Sequence, residues 1–147
     1  MTSKILFNLN GSNVEAFEKE TIWQVCARLG LRIPHLCYHH ATDYEGDGNC
    51  RACVVDVEGD RTLSASCIRQ PESGMTVRTH SERAIKARAM VLELLASDQE
   101  EPEGDFKAWL DEMNVHASRF PSARARPTDP SHTAIAVDLN KCIHCKL

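Results

Sequence analysis

The sequence predicts an α+β domain, with about five short strands around one helix, followed by a long helix and an irregular linker. Three observations carry this expectation. Ile5, Phe7 and Leu9 recur with period two ahead of Asn10-Gly11, the pattern of a strand running into a two-residue hairpin turn. Thr21-x-x-Gln24 reads as a capping box in front of an apolar stripe of Ile22, Val25, Cys26 and Leu29. Behind Ser81, Ile85, Ala89, Leu92 and Ala96, with Val91 and Leu95 beside them, repeat at helical spacing.

The elements follow in order. Residues 4–9 and 13–18 make the hairpin, because both central positions of its turn need positive φ and Asn-Gly supplies them. The first helix starts at Thr21 and is expected to end at Gly30. Residues 31–38 are extended, with Pro34 excluding helix. Residues 41–49 are a loop of turn formers, in which Gly46 and Gly48 let the backbone approach another group closely. Residues 53–58 are a strand, Gly59-Asp60 a turn, residues 61–67 a returning strand and residues 75–79 a last short one. Ser81 then caps a helix to about Ser97, with Glu82 and Lys86 spaced as a supporting ion pair. Residues 106–113 suggest a short helix. Residues 121–132, with three prolines and three charges, suggest a linker over a surface.

Composition narrows the function. The chain has 147 residues, 42% of them hydrophobic, enough for one modest core and an appendage. The net charge of −4 argues against a general nucleic-acid surface. No apolar run approaches the 18 or so residues of a membrane span, and the first residues lack a signal-peptide core. These features point to a cytoplasmic protein without a membrane or nucleic-acid partner. The odd number of cysteines, seven, rules out complete pairing within the chain, and a Cys-x2-Cys in such a protein points to metal or redox chemistry. Cys26, inside the first helical stripe, is expected to be a buried small hydrophobe. No nucleophile elbow, phosphate-binding glycine loop or His-Glu-x-x-His motif is present, so catalytic residues are expected to be none.

The chemistry lies in Cys37, Cys50, Cys53 and Cys67, spaced Cys-x12-Cys-x2-Cys-x13-Cys. Thiolates are soft ligands, and four together select zinc or iron–sulfur. A two-iron cluster takes four thiolates. The short Cys-x2-Cys supplies two on one loop and the fold must bring in the others. Zinc ribbons usually present two facing knuckles, and this region has one, so [2Fe–2S] is the leading expectation and a structural zinc module that binds protein is the competitor. A Rieske-type centre, drawing on His35, His39 or His40, would displace two cysteines from a set that is already complete. Loop amides from residues 46–52 can donate to the sulfurs, and Arg51 either offsets thiolate charge or is an exposed arginine.

The segments Ile-Pro-His-Leu-Cys-Tyr (33–38), Asp-Gly-Asn-Cys-Arg-Ala-Cys-Val-Val (47–55) and Ser-Ala-Ser-Cys-Ile-Arg (64–69) resemble the two-iron ferredoxin-type domain that opens the large electron-transfer subunits of complex I, NAD-reducing hydrogenases and NAD-dependent formate dehydrogenases. The resemblance implies a β-grasp fold and cluster ligation by Cys37, Cys50, Cys53 and Cys67. Residues 68–141 contain no cysteine, so the histidine-and-cysteine four-iron site of complex I relatives and many hydrogenases is not expected. Residues 89–99, 118–121 and 136–142 look most like the α subunit of molybdenum- or tungsten-dependent formate dehydrogenase. That likeness implies an electron-transfer module in a complex that oxidises formate to carbon dioxide and reduces NAD. Its further cofactors would be 4Fe–4S clusters, a molybdopterin guanine dinucleotide with Mo or W, and FMN on a partner subunit. Its partners would be the catalytic region and a flavin- and NAD-binding diaphorase subunit. The alternative is an electron-transfer subunit of a hydrogenase or complex I-type NADH oxidoreductase.

The expected organisation is a [2Fe–2S] domain over residues 1–80, a helix and linker over 81–133, and the truncated start of a 4Fe–4S module over 134–147. Cys142-x2-Cys145 matches the first half of a four-iron motif, and two cysteines cannot hold such a cluster.

Overall fold

The computed structural model describes residues 4–39, 46–122 and 126–142. Strand β1 (Lys4–Leu9) and β2 (Ser12–Phe17) form the expected hairpin, antiparallel with Lys4 opposite Phe17 and Leu9 opposite Ser12. Its turn has Asn10 at φ 53° and Gly11 at φ 89°, the conformation that the Asn-Gly pair allows at low cost. The Asn10 side chain then pins the chain just past residue 78, beside the hairpin. It accepts from the Thr79 backbone N–H and donates to the Thr79 hydroxyl, both at 2.8 Å.

Helix α1 (Ile22–Arg28) carries the full capping box at Thr21 and Gln24, and the chain leaves it through Gly30 at φ 75°. Leu29, placed on the apolar stripe by spacing, is 46% exposed, because the helix ends at Arg28 and the residue turns outward. Strands β3 (Val54–Val57), β4 (Ser64–Ala65) and β5 (Thr76–Arg78) complete a five-stranded sheet in the order β2-β1-β5-β3-β4. Among the described strands, β1 and β5 run parallel and the other neighbours antiparallel. The strand expected over residues 61–67 shrinks to β4, since the chain bends at Ser66 toward α1. The result is the expected α+β class, consistent with a β-grasp. Its main core lies between the sheet and α1, with Phe7, Leu9, Ile22, Val25, Val55 and Val77 all nearly or fully buried.

Helix α2 (Glu82–Ser97) is capped by Ser81, and α3 (Gly104–Glu112) packs against it. The buried face of α2 is Ala84, Arg88, Leu92 and Glu93, rotated from the predicted stripe and leaving Ile85 42% exposed. The ion pair near its start is Arg83 with Asp56, and among the described residues none forms between Glu82 and Lys86. A second apolar cluster joins Leu92, Phe106, Trp109 and Leu110 to Leu36 and Ala52. The two helices thus roof the loops that carry the cysteines. No helix among the described residues is long and apolar enough to cross a membrane.

Candidate metal centre

Three separate pieces of chain bring the four thiols together. Cys37 follows the extended 31–36 segment, which is held by the Trp23 indole N–H donating to the Ile33 carbonyl at 3.2 Å. Cys50 and Cys53 sit on the loop before β3, and Cys67 comes just after β4. The first-turn amides of a helix have no partners within it. Here Ile22 N–H donates to the Arg69 carbonyl and Trp23 N–H to the Ser66 carbonyl, both at 2.9 Å, so α1 fixes the Cys67 turn. The Ser66 hydroxyl, fully buried, donates to the Cys53 carbonyl at 2.7 Å and ties the two ligand segments directly.

Cys37, Cys53 and Cys67 are buried and Cys50 is half-buried. The strongest interactions among the thiols run between Cys37 and Cys50 and between Cys53 and Cys67, and all three others act on Cys67. Among the described residues no three His, Cys, Asp or Glu side chains gather as a site for one ion. One Cys-x2-Cys loop with two lone cysteines brought in by the fold suits a two-iron rhomb better than a zinc ribbon with two facing knuckles. Backbone amides point at the sulfurs: Cys50 N–H lies 3.4 Å from Cys37 Sγ and Ala52 N–H 3.5 Å from Cys50 Sγ.

Gly48, at φ 66°, holds a backbone conformation that strains any other residue, and a Cβ there would lie 2.9 Å from Ile68 Cδ1 and 3.3 Å from Ala65 Cβ. A Cβ on Gly46 would lie 3.1 Å from the Tyr38 ring and 3.6 Å from Cys67 Sγ. The close approach expected at both glycines is therefore present. Arg51 is exposed and contributes a turn at φ 60°.

Electrostatics mark the thiols as mutually dependent. Burial pushes Cys37 up to about 11, opposed by the Cys50 amide. The Cys67 thiol donates to Cys53 and holds it down at about 6 against burial. Cys67 moves up, because its proton is shared with Cys53, because it is buried, and because the other three thiols repel its charge. Thiols so arranged release protons when cations bind between them. Cys26, pushed up to about 12 by burial, is the inert core thiol that was expected.

His35 is packed edge-on between Trp23 and Trp109, with Nδ1 3.3 Å from the Ile33 carbonyl, which makes it a packing residue. His39 is exposed, while His40 lies outside the described residues. Cys142 is half-buried at the end of the tail segment, and Cys145 lies outside the described residues. Sequence spacing missed two groups beside the thiols. Ser66 gave no signal, and Arg88 fell among the polar positions of α2.

Comparisons with known proteins agree with this geometry. A family model described as "2Fe-2S iron-sulfur cluster binding domain" matches residues 2–82. An NADH-quinone oxidoreductase subunit of Rickettsia felis is 38% identical over 91 residues, 62% of this chain and 13% of that protein. The NADP-reducing hydrogenase subunit HndD of Solidesulfovibrio fructosivorans is 34% identical over an alignment of 159 residues, 98% of this chain and 27% of that protein. A crystal structure of an NAD+-reducing [NiFe]-hydrogenase in the H2-reduced state superposes with a TM-score of 0.83 at 29% identity, covering 99% of this chain and 64% of that one. The chain thus spans about an eighth to a quarter of the length of these curated relatives. With its thiols, amides and sheet arranged as described, the chain belongs to the 2Fe-2S iron–sulfur cluster binding domain family.

Proposed function

We propose that Cys37, Cys50, Cys53 and Cys67 hold a [2Fe–2S] cluster, Cys37 and Cys50 on one iron and Cys53 and Cys67 on the other. The observation that carries this is the pairing of the four thiols within a domain of this family. When bound, the cluster supplies one-electron transfer. The chain's own residues then position it: Ser66 and α1 hold the Cys67 turn, the 46–52 amides donate to sulfur, and α2 and α3 exclude water from one side. Cys50, half-buried against the apolar cluster of α2 and α3, is the least buried of the four thiols.

The module works as an electron relay in an NAD-linked oxidoreductase. Its finer assignment is formate dehydrogenase, with electrons from a molybdenum or tungsten site passing on toward a flavin subunit. The absence of cysteine from residues 68–141 and the character of residues 89–99, 118–121 and 136–142 favour that assignment. A relay in a hydrogenase or complex I-type enzyme is the second reading, favoured by the near-complete alignments with the two hydrogenase proteins. The division at residues 80 and 133, with 134–147 opening a further iron–sulfur module, belongs to the same proposal.

Anaerobic purification tests the cluster. Iron and acid-labile sulfide in equal amounts, with a paramagnetic signal after dithionite, are expected; zinc in a colourless protein overturns the assignment. In the assembled complex, reduction of this signal by formate supports the finer assignment. Reduction by hydrogen but not formate replaces it with the second reading.

A further inference from the structure

Helix α2 buries an arginine where an apolar residue would be expected. Ala84, Arg88 and Leu92 follow one another at helical spacing and are 0%, 2% and 0% exposed. Small Ala84, one turn earlier, leaves room for the long side chain. Arg88 Nε donates to the Val54 carbonyl at 2.9 Å, one residue beyond Cys53. Its terminal Nη2 is buried and has no hydrogen-bond partner among the described residues. The ionisable groups that act on the guanidinium are Cys53 and Cys26, and among the described residues no carboxylate acts on it. Cys26 keeps its proton at neutral pH, as its pKa of about 12 requires.

An arginine stays protonated in proteins. A buried cation with a missing partner costs several kcal/mol unless a negative charge nearby compensates it. Beside Arg88 the negative charge is on the Cys53 side. We infer that Arg88 is a fixed positive charge that raises the reduction potential of the cluster held by Cys37, Cys50, Cys53 and Cys67. The inference rests on the ligand assignment proposed above. Reduction brings in one electron and no proton, adding one negative charge beside four thiolates. A cation held close by favours that reduced state. Val54 O keeps the guanidinium in place and the roof of α2 and α3 keeps water from screening it.

The test is a dye-mediated redox titration of the full chain, followed by visible absorption and electron paramagnetic resonance. Arg88→Lys keeps the charge and should hold the ratio of reduced to oxidised cluster within about twofold of the parent at fixed potential. Arg88→Met should lower that ratio about tenfold, which for one electron is 59 mV. Leu94→Ala, at an exposed position of the same helix, leaves both the charge and the roof intact and should leave the ratio unchanged. Equal ratios in the Met and Lys variants, or an equal fall in all three, overturn the inference. If Arg88→Met does not load a cluster, the Lys variant decides alone. A buried lysine loses its proton within the alkaline range, so its potential should step down there while the parent's stays flat; a flat profile overturns the inference. Failure of both variants to load also overturns it, in favour of a purely structural role. A parent protein that never takes up iron instead defeats the ligand assignment.

Discussion

Around Cys53 the chain satisfies itself from within. The thiol is 1% exposed, its neighbours Ala52 and Val55 are fully buried, and strand, helix and loop all donate hydrogen bonds to the segments that carry the four thiols. The segment leading to Cys142 is built differently. Every side chain from 126 to 139 is exposed, and a single bridge between Asp129 and Val137 supplies its sheet-like pairing. Its anchors are polar and lie at the rim: Arg126 and Asn140 exchange two hydrogen bonds at 2.8 Å, and Gln99 donates to the Lys141 carbonyl. The difference shows where binding geometry is set in advance. The first region holds its thiols in place through the core, so metal meets a formed site. The second leads to Cys142 through exposed polar contacts that compete with water, each of small worth.

The largest break between the two regions should come from paired cysteine substitutions. Cys53→Ser removes one thiol of a buried pair and should abolish the visible absorption of the cluster. Cys142→Ser should leave the spectrum unchanged. Equal spectra in the two variants would refute the ligand assignment.

A second pair compares packing. Leu92→Ala opens a cavity under the roof, where Leu92 is fully buried, and should cost about 2–5 kcal/mol. Leu139→Ala, at a position 36% exposed in the tail, should stay within about 0.5 kcal/mol. Urea unfolding of the full chain measures both. A costly Leu139→Ala would show that the tail is part of the core.

How far the sequence carried the structure follows the same division. Period two, Asn10-Gly11, Thr21 with Gln24, and Ser81 were legible because they are local, each fixing its own backbone through a bond a few residues away. The four thiols were legible because spacing and soft-ligand chemistry are both written in the chain. Arg88 and Glu93 were not, because burial of a charge depends on what a distant segment offers it. For Arg88 that is the Val54 carbonyl, 34 residues away, and for Glu93 it is Arg119, 26 residues away. The same cause rotated the buried face of α2 from the apolar stripe, which assumed that charged residues look outward.

The smallest effect sharpens the boundary between the regions. Glu93 on α2 receives the Arg119 backbone N–H and guanidinium, while the Ser118 hydroxyl donates to its carbonyl. Arg119 holds the Glu93 carboxyl below the usual carboxylate range. A carboxylate with a lowered folded pKa stabilises the docked state above its ordinary value, about 4.3, and that contribution fades as pH falls through the lowered one. Amide exchange at residues 118–120, taken relative to the intrinsic rate at each pH, should therefore quicken on acidification before the sheet responds. In Arg119→Ala it should already be quick at neutral pH. Simultaneous loosening of the sheet and this segment would show that the Glu93 contact is not an independent joint.

The way α1 uses its first two amides has a consequence for how iron is kept. Ile22 and Trp23 donate into the turn that presents Cys67, so unwinding the start of the helix also lets that sulfur swing away. Melting of the helix and escape of the metal then become one event. A chelator would gain access at the pace of helix opening, and the protein would guard its inorganic cargo with the same few bonds that give it shape.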